Sequence, residues 1–131
     1  MFGFYRNNAN PNFPAIVTLP TTESTTYKVG DALALSSGKL AKATGTTKPA
    51  YICAEEYTAP ASGQKEIAVY PIFETQEWKT TFAAEPKDIV PGSKVTIHTD
   101  GAQVTATTTS GVAEVVRMLG TASGSEVIVK F

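Results

Sequence analysis

One histidine, one cysteine and two close pairs of glutamates are the side chains of this chain best suited to hold or move a proton. His98 stands in VTIHTDG, just before an Asp-Gly turn. A Ser–His–Asp triad would require it, yet no G-x-S-x-G elbow occurs, and SSG at 36–38 and SGS at 123–125 read as turns. In a strand, His98 falls on the face opposite Val95 and Ile97, which points it to solvent. A zinc site needs more histidine and cysteine than the chain owns. Glu55 and Glu56 are adjacent, so a strand sends them to opposite faces; Glu74 and Glu77, three apart, do the same. Neither pair lines one site, as the two carboxylates of a glycosidase must. No calcium loop, phosphate-binding glycine loop or dinucleotide fingerprint is present. The expectation is a protein with no catalytic residues, no cofactor and no metal.

Two further features invite a chemical reading. Cys53 lies in YICAEE with apolar residues on one side and no cation nearby, so it is expected to be a small buried hydrophobe rather than a reactive thiol. A lone thiol forms no internal disulfide, and the fold does not depend on an oxidising compartment. Trp78, with Tyr51, Tyr57 and Tyr70, has the chemistry of a sugar-stacking platform and equally that of core or interface packing.

The totals bound the partners. The 131 residues suit one domain or two very small ones, and a 42% hydrophobic share is enough for a core. Only 18% are charged and the net charge is −1, without the basic stripe a nucleic-acid binder needs. No stretch approaches the roughly 20 apolar residues of a membrane helix. The start, MFGFYRNNANPNFP, lacks the basic then apolar run of a signal peptide. The expected protein is soluble, made in a reducing cytoplasm, and binds neither nucleic acid nor membrane.

Residues 1–26 differ from the rest. They carry Asn7, Asn8, Asn10 and Asn12 with Pro11, Pro14 and Pro20, which interrupt helix and sheet. They also carry Phe2, Phe4, Tyr5 and Phe13, whereas disordered tails are poor in aromatics. An extended N-terminal arm is expected, docking on its own domain or on a neighbouring subunit. Phe2, Phe4, Tyr5 and Phe13, with Trp78, are the candidate interface residues.

Residues 27–131 read as strands. DALALS, GKLAKAT, PAYICAEEYT, KEIAVYPI and TQEWKTTF are rich in β-branched and aromatic residues and bounded by Gly, Pro and Ser. GVAEVVRMLG has helical spacing at Val112, Val115, Val116 and Leu119, but it is short and valine-rich, and reads as strand.

The chain also repeats itself. Gly30 aligns with Gly92, Leu33 and Leu35 with Val95 and Ile97, Gly38 with Gly101, and Leu40 with Val104. PAYICAEEY then aligns with GVAEVVRML, and ASGQKEIAVY with ASGSEVIVKF, so that the offset stays between 61 and 64 throughout. Asp100–Gly101 reads as a type I′ hairpin turn, with positive φ at both central positions. A unit of about 42 residues buries too little surface to stand alone, so two copies must share a core. The expected fold is all-β: a small barrel or sandwich, or two small barrels, from repeat 1 (about 27–72), a linker (73–88) with one extra strand, and repeat 2 (about 89–131).

The repeat carries a resemblance. VGDALALSSGKLAKATGTTKPAYICAEEYTAPASGQKEIAVYPI resembles the small capsid decoration, or auxiliary head, proteins of tailed bacteriophages, through Gly30, Asp31, Leu33, Gly38, Pro49, Gly63, Ile67 and Val69. The second copy keeps Gly92, Gly101, Gly111, Gly124, Val127 and Val129 but has Ser93 in place of the aspartate. The resemblance leaves out the arm and the linker. It implies a structural virion protein on the outer capsid surface, bound to the major capsid protein, stabilising the shell, and homo-oligomeric with a trimer favoured. The other reading is a carbohydrate- or receptor-binding β-module of a phage fibre or tail.

Overall fold

The computed structural model describes residues 1–9 and 14–131. Among these the chain forms twelve strands and no helix. They are β1 (Gly3–Asn7), β2 (Val17–Pro20), β3 (Thr26–Tyr27), β4 (Ala32–Ser36), β5 (Lys39–Lys42), β6 (Tyr51–Cys53), β7 (Tyr57–Thr58), β8 (Glu66–Pro71), β9 (Gln76–Thr81), β10 (Lys94–Val95), β11 (Ala113–Met118) and β12 (Glu126–Lys130). One five-stranded sheet runs β1-β9-β12-β11-β10, a second runs β2-β8-β6-β4-β5, and β3 pairs with β7. All strand pairs are antiparallel. The all-β expectation holds. Of the alternatives, the arrangement is sandwich-like, and neither large sheet closes into a barrel. GVAEVVRMLG supplies β11 as a strand, because its alternate residues Ala113 and Val115 are buried while Glu114 between them is partly exposed.

The two halves match strand for strand. Leu33 faces Tyr51 in the first half as Val95 faces Ala113 in the second. Cys53 faces Val69 as Val115 faces Val129. The counterpart of β5 is reduced to Val104, which bridges Ile97. The repeat also extends further than the sequence indicates. β2 pairs with β8 as β9 pairs with β12, with Val17 facing Val69 and Trp78 facing Val129. Just beyond those strands, Thr21 bridges Leu40 and Phe82 bridges Val104, both in parallel. The extra strand of the 73–88 linker is therefore the first strand of the second unit. Its equivalent, β2, lies within the segment expected to be an arm.

That segment is built into the fold. β1 pairs with β9 along one edge of its sheet, and the Phe2 amide donates to Gly30 O at 2.9 Å. The aromatics explain this outcome. Phe2 is buried, and burying a side chain of its size contributes about 1.5–3 kcal/mol, which an arm in solvent forfeits.

The halves share a core, as their size requires. Ala32, Ala43 and Ile52 of the first pack with Trp78, Phe82, Val95, Ile97 and Val115 of the second. Backbone bonds cross the seam: Ala32 N donates to Gly101 O at 2.7 Å, and Gly45 and Ile97 exchange bonds at 2.8 and 3.0 Å. A separate cluster, with Tyr27, Leu33, Leu40 and Ile67, belongs to the first half.

One turn expectation is corrected. Positive φ at both central positions occurs at Ser37 (50°) and Gly38 (77°), so the type I′ turn is the one joining β4 to β5. At Asp100–Gly101 only Gly101 is positive. There the Asp100 carboxylate accepts from the Ala102 and Gln103 amides at 2.8 and 3.2 Å, and the side chain shapes the turn instead.

Candidate interaction surface

Two β-bulges mark one face of the β1-containing sheet. In β1, Phe4 faces Trp78 and Arg6 faces Glu77, so Tyr5 is the extra residue. In β11, Val115 faces Val129 and Arg117 faces Ile128, so Val116 is extra. Between them, β9 and β12 pair Trp78 with Val129 and Lys79 with Ile128, which sets the two bulges on either side of the Trp78–Val129 pair. A bulge bends its strand and re-aims side chains. Here the result is a groove of about 230 Å³ lined by Tyr5, Arg6, Glu77, Val116, Arg117 and Ile128.

The groove carries an uneven charge. Glu77 is only 4% exposed in its side chain and takes a two-pronged contact from Arg6, at 2.6 Å from Nε and 3.1 Å from Nη2. Asn8 Nδ2 donates a third bond at 2.8 Å. Burial by itself would push the Glu77 carboxyl up, but the bonds from Arg6 and Asn8 outweigh it and hold the group below the usual carboxylate value. The same contact raises Arg6, whose guanidinium also lies 5.9 Å from the Tyr5 ring centre. Arg117 is exposed and has no ion-pair partner among the described residues. An exposed aromatic ring, an aliphatic floor and an uncompensated guanidinium suit a protein surface that presents a carboxylate.

The sequence-derived interface residues divide. Tyr5 is 44% exposed and lines the groove. Phe2 packs edge-on against Phe131, with centroids 5.4 Å apart. Phe4 is half-buried and packs edge-on against Trp78 at 5.7 Å. Trp78 is wholly buried, which removes it as a direct contact and as a sugar-stacking platform: no ligand reaches a ring enclosed by Phe4 and Tyr70. Phe13 lies outside the described residues. Arg6, Glu77, Val116 and Arg117 were not among the candidates, because a bulge leaves no local sequence mark.

The residues with proton chemistry do not converge. His98 Nδ1 sits 3.3 Å from Asp100 at the seam turn. Cys53 is buried, its thiol pushed up to about 11 chiefly by burial, as a small packed hydrophobe should be. Glu55 is tied to Lys65 and to the Ala68 amide, while Glu56 is exposed. Among the described residues no His, Cys, Asp and Glu cluster has the form of a metal site.

Neither the family models nor the curated proteins contain a match to this chain. Among solved structures, it is similar to the head fiber gp8.5 N base in bacteriophage phi29. The TM-score is 0.59 with 16% identity, over 89% of this chain and 94% of that one. At such identity the likeness is one of fold, and it runs nearly end to end in both chains.

Proposed function

We propose that this chain is a non-catalytic structural protein of a tailed-phage virion, held on the outer surface of the head, where it binds the major capsid protein and stabilises the shell. The observation that carries this reading is the near full-length likeness of fold to a head-fibre base. The resemblance of residues 27–72 to decoration proteins points the same way. The groove between the two bulges is the contact surface this reading assigns, with Tyr5 and Arg117 as its exposed anchors. Aromatic and arginine side chains dominate such contacts.

Co-sedimentation tests it. Purified protein is mixed with expanded heads of the encoding phage assembled without it. The expected result is saturable pelleting at a fixed ratio to capsid subunits, lost in Tyr5→Ser/Arg117→Glu. A truncation of the N-terminal segment is unsuitable, because it removes β1 and β2. Folded wild-type protein that stays in the supernatant rejects the head-binding role. Pelleting unaffected by the double variant rejects the groove.

A further inference from the structure

The two halves pack front to back. Ala32, Ile52 and Tyr70 stand on the face of the first half that enters the shared core, where Tyr70 meets the Trp78 ring of the second half. Their counterparts in the second half are Lys94, Glu114 and Lys130. The register shows it: Ala32 faces Ile52 and Ile52 faces Tyr70, as Lys94 faces Glu114 and Glu114 faces Lys130. The face that the first half buries is thus the outer face of the second. There Lys94 is exposed, and the Lys130 and Glu114 side chains stay 43% and 34% exposed.

Charge on this outer face is one-sided. Its strands β1, β9, β10, β11 and β12 carry five cations, Arg6, Lys79, Lys94, Arg117 and Lys130, and three anions, Glu77, Glu114 and Glu126. That is +2 on a chain whose total is −1, so the rest of the molecule carries −3. Each carboxylate is taken by one cation: Glu77 by Arg6, Glu126 by Lys79 at 2.9 Å, and Glu114 by Lys130 at 3.5 Å. Arg117 and Lys94 are left over, and each stands at a concavity. Arg117 lines the groove between the bulges. Lys94 lines a cavity of about 320 Å³ together with Lys48, Lys130, Glu74 and Glu114, over an apolar wall of Val112 and Phe131. Lys48 is exposed and, like Lys94, has no ion-pair partner among the described residues. Three ammonium groups against two carboxylates leave the cavity with one net positive charge.

We propose that this cavity is a second carboxylate-binding site, and that the partner on this face is an acidic protein surface that sets one carboxylate between Lys48 and Lys94 and another on Arg117. The proposal rests on the groove reading above for the Arg117 contact. A single surplus charge matches a carboxylate, whereas a phosphate group brings nearly two negative charges. Glu74 and Glu114 repel a continuous phosphate backbone, so a protein fits better than a nucleic acid.

A glutamate decamer titrated at low salt into the full chain, isotope-labelled and followed by its amide NMR signals, tests the site. The Lys48, Lys94 and Val112 signals should shift together with that of Arg117. Lys48→Gln/Lys94→Gln should weaken binding about tenfold, in line with the loss of two exposed charge contacts. Glu74→Gln should tighten it. All three positions are exposed, so circular dichroism and melting temperature should match wild type. Unmoved cavity signals, an affinity indifferent to the glutamine pair, or stronger binding of a DNA oligonucleotide of equal charge would overturn the proposal. On heads, the glutamine pair should also weaken pelleting. Unchanged pelleting of that variant would overturn the two-point contact and leave the groove reading standing. Wild-type protein that stays in the supernatant rejects head binding instead, and the decamer titration still decides the cavity.

Discussion

Asp31 and Ser93 occupy the same place in the two halves and make the same bond. Asp31 Oδ2 accepts from the Lys28 amide at 3.0 Å, and Ser93 Oγ accepts from the Val90 amide at 3.1 Å. The surrounding backbone agrees: Gly30 N donates to Cys53 O as Gly92 N donates to Val115 O, and Cys53 N donates to Asp31 O as Val115 N donates to Ser93 O. The aspartate missing from the second copy is replaced by a residue that closes the turn equally well.

This equivalence predicts a graded response at position 31. Asp31→Ala leaves the Lys28 amide without its acceptor in a half-buried turn, and should cost about 1–3 kcal/mol. Asp31→Ser keeps an acceptor and loses only the 3.2 Å ion pair with Lys42, for a cost of about 1 kcal/mol or less. Urea unfolding of the two variants checks the order. Equal losses would mean that the ion pair, not the turn bond, matters at this site.

The same comparison shows how much was legible in the sequence. The turn glycines, the alternation around Leu33 and Val95, and the collinear offset are local marks, and they located the matched strands and the shared core. The first strand of each unit was hidden. β2 and β9 have the same pairing, but among the described residues no strand runs along the outer side of β2 at Val17, whereas β9 has β1 and β12 on its two sides and carries Trp78 and Thr80. Different surroundings selected different residues and erased the likeness. The candidate surface was half legible for a related reason. Aromatic residues near the start announced burial or contact, but only cross-strand register decides that Phe2 and Phe4 turn inward while the bulged Tyr5 turns out.

Glu77 makes stability at low pH depend on Arg6. Its folded pKa lies below the ordinary carboxylate value, so its contribution is complete above that value and is lost as pH falls through the lowered folded pKa. Arg6→Ala removes the two-pronged contact but leaves the carboxyl buried, and burial raises its pKa. The variant should unfold at lower denaturant concentration near neutral pH and begin acid unfolding at higher pH than wild type. Denaturant unfolding at pH 7 and melting temperature followed down to pH 3 measure the two effects. An unshifted acid limb would show that Glu77 does not set it.

Cys53 should be silent toward thiol reagents in the folded state. Its thiol is enclosed, raised to about 11, and bonded to Glu55 O at 3.1 Å. At pH 8 a thiol-specific chromogenic reagent should react only as fast as the protein unfolds, and fully in strong denaturant. Rapid labelling without denaturant would contradict the burial of β6 between β4 and β8.

Trp78 combines a large apolar gain with a polar defect. Its ring is wholly buried against Phe4 and Tyr70, yet the indole N–H finds no acceptor among the described residues. A buried unmade hydrogen bond costs about 1–3 kcal/mol, so Trp78→Phe removes that penalty while losing part of the packing. The two effects oppose, and the net change should stay within about 1.5 kcal/mol. Trp78→Ala has no such offset and should cost about 3–5 kcal/mol, because it opens a cavity beneath β1. Denaturant unfolding by circular dichroism distinguishes the two. A phenylalanine variant as damaged as the alanine one would mean that the indole N–H is bonded after all, through a buried water, and that the ring is held by polarity as much as by fit.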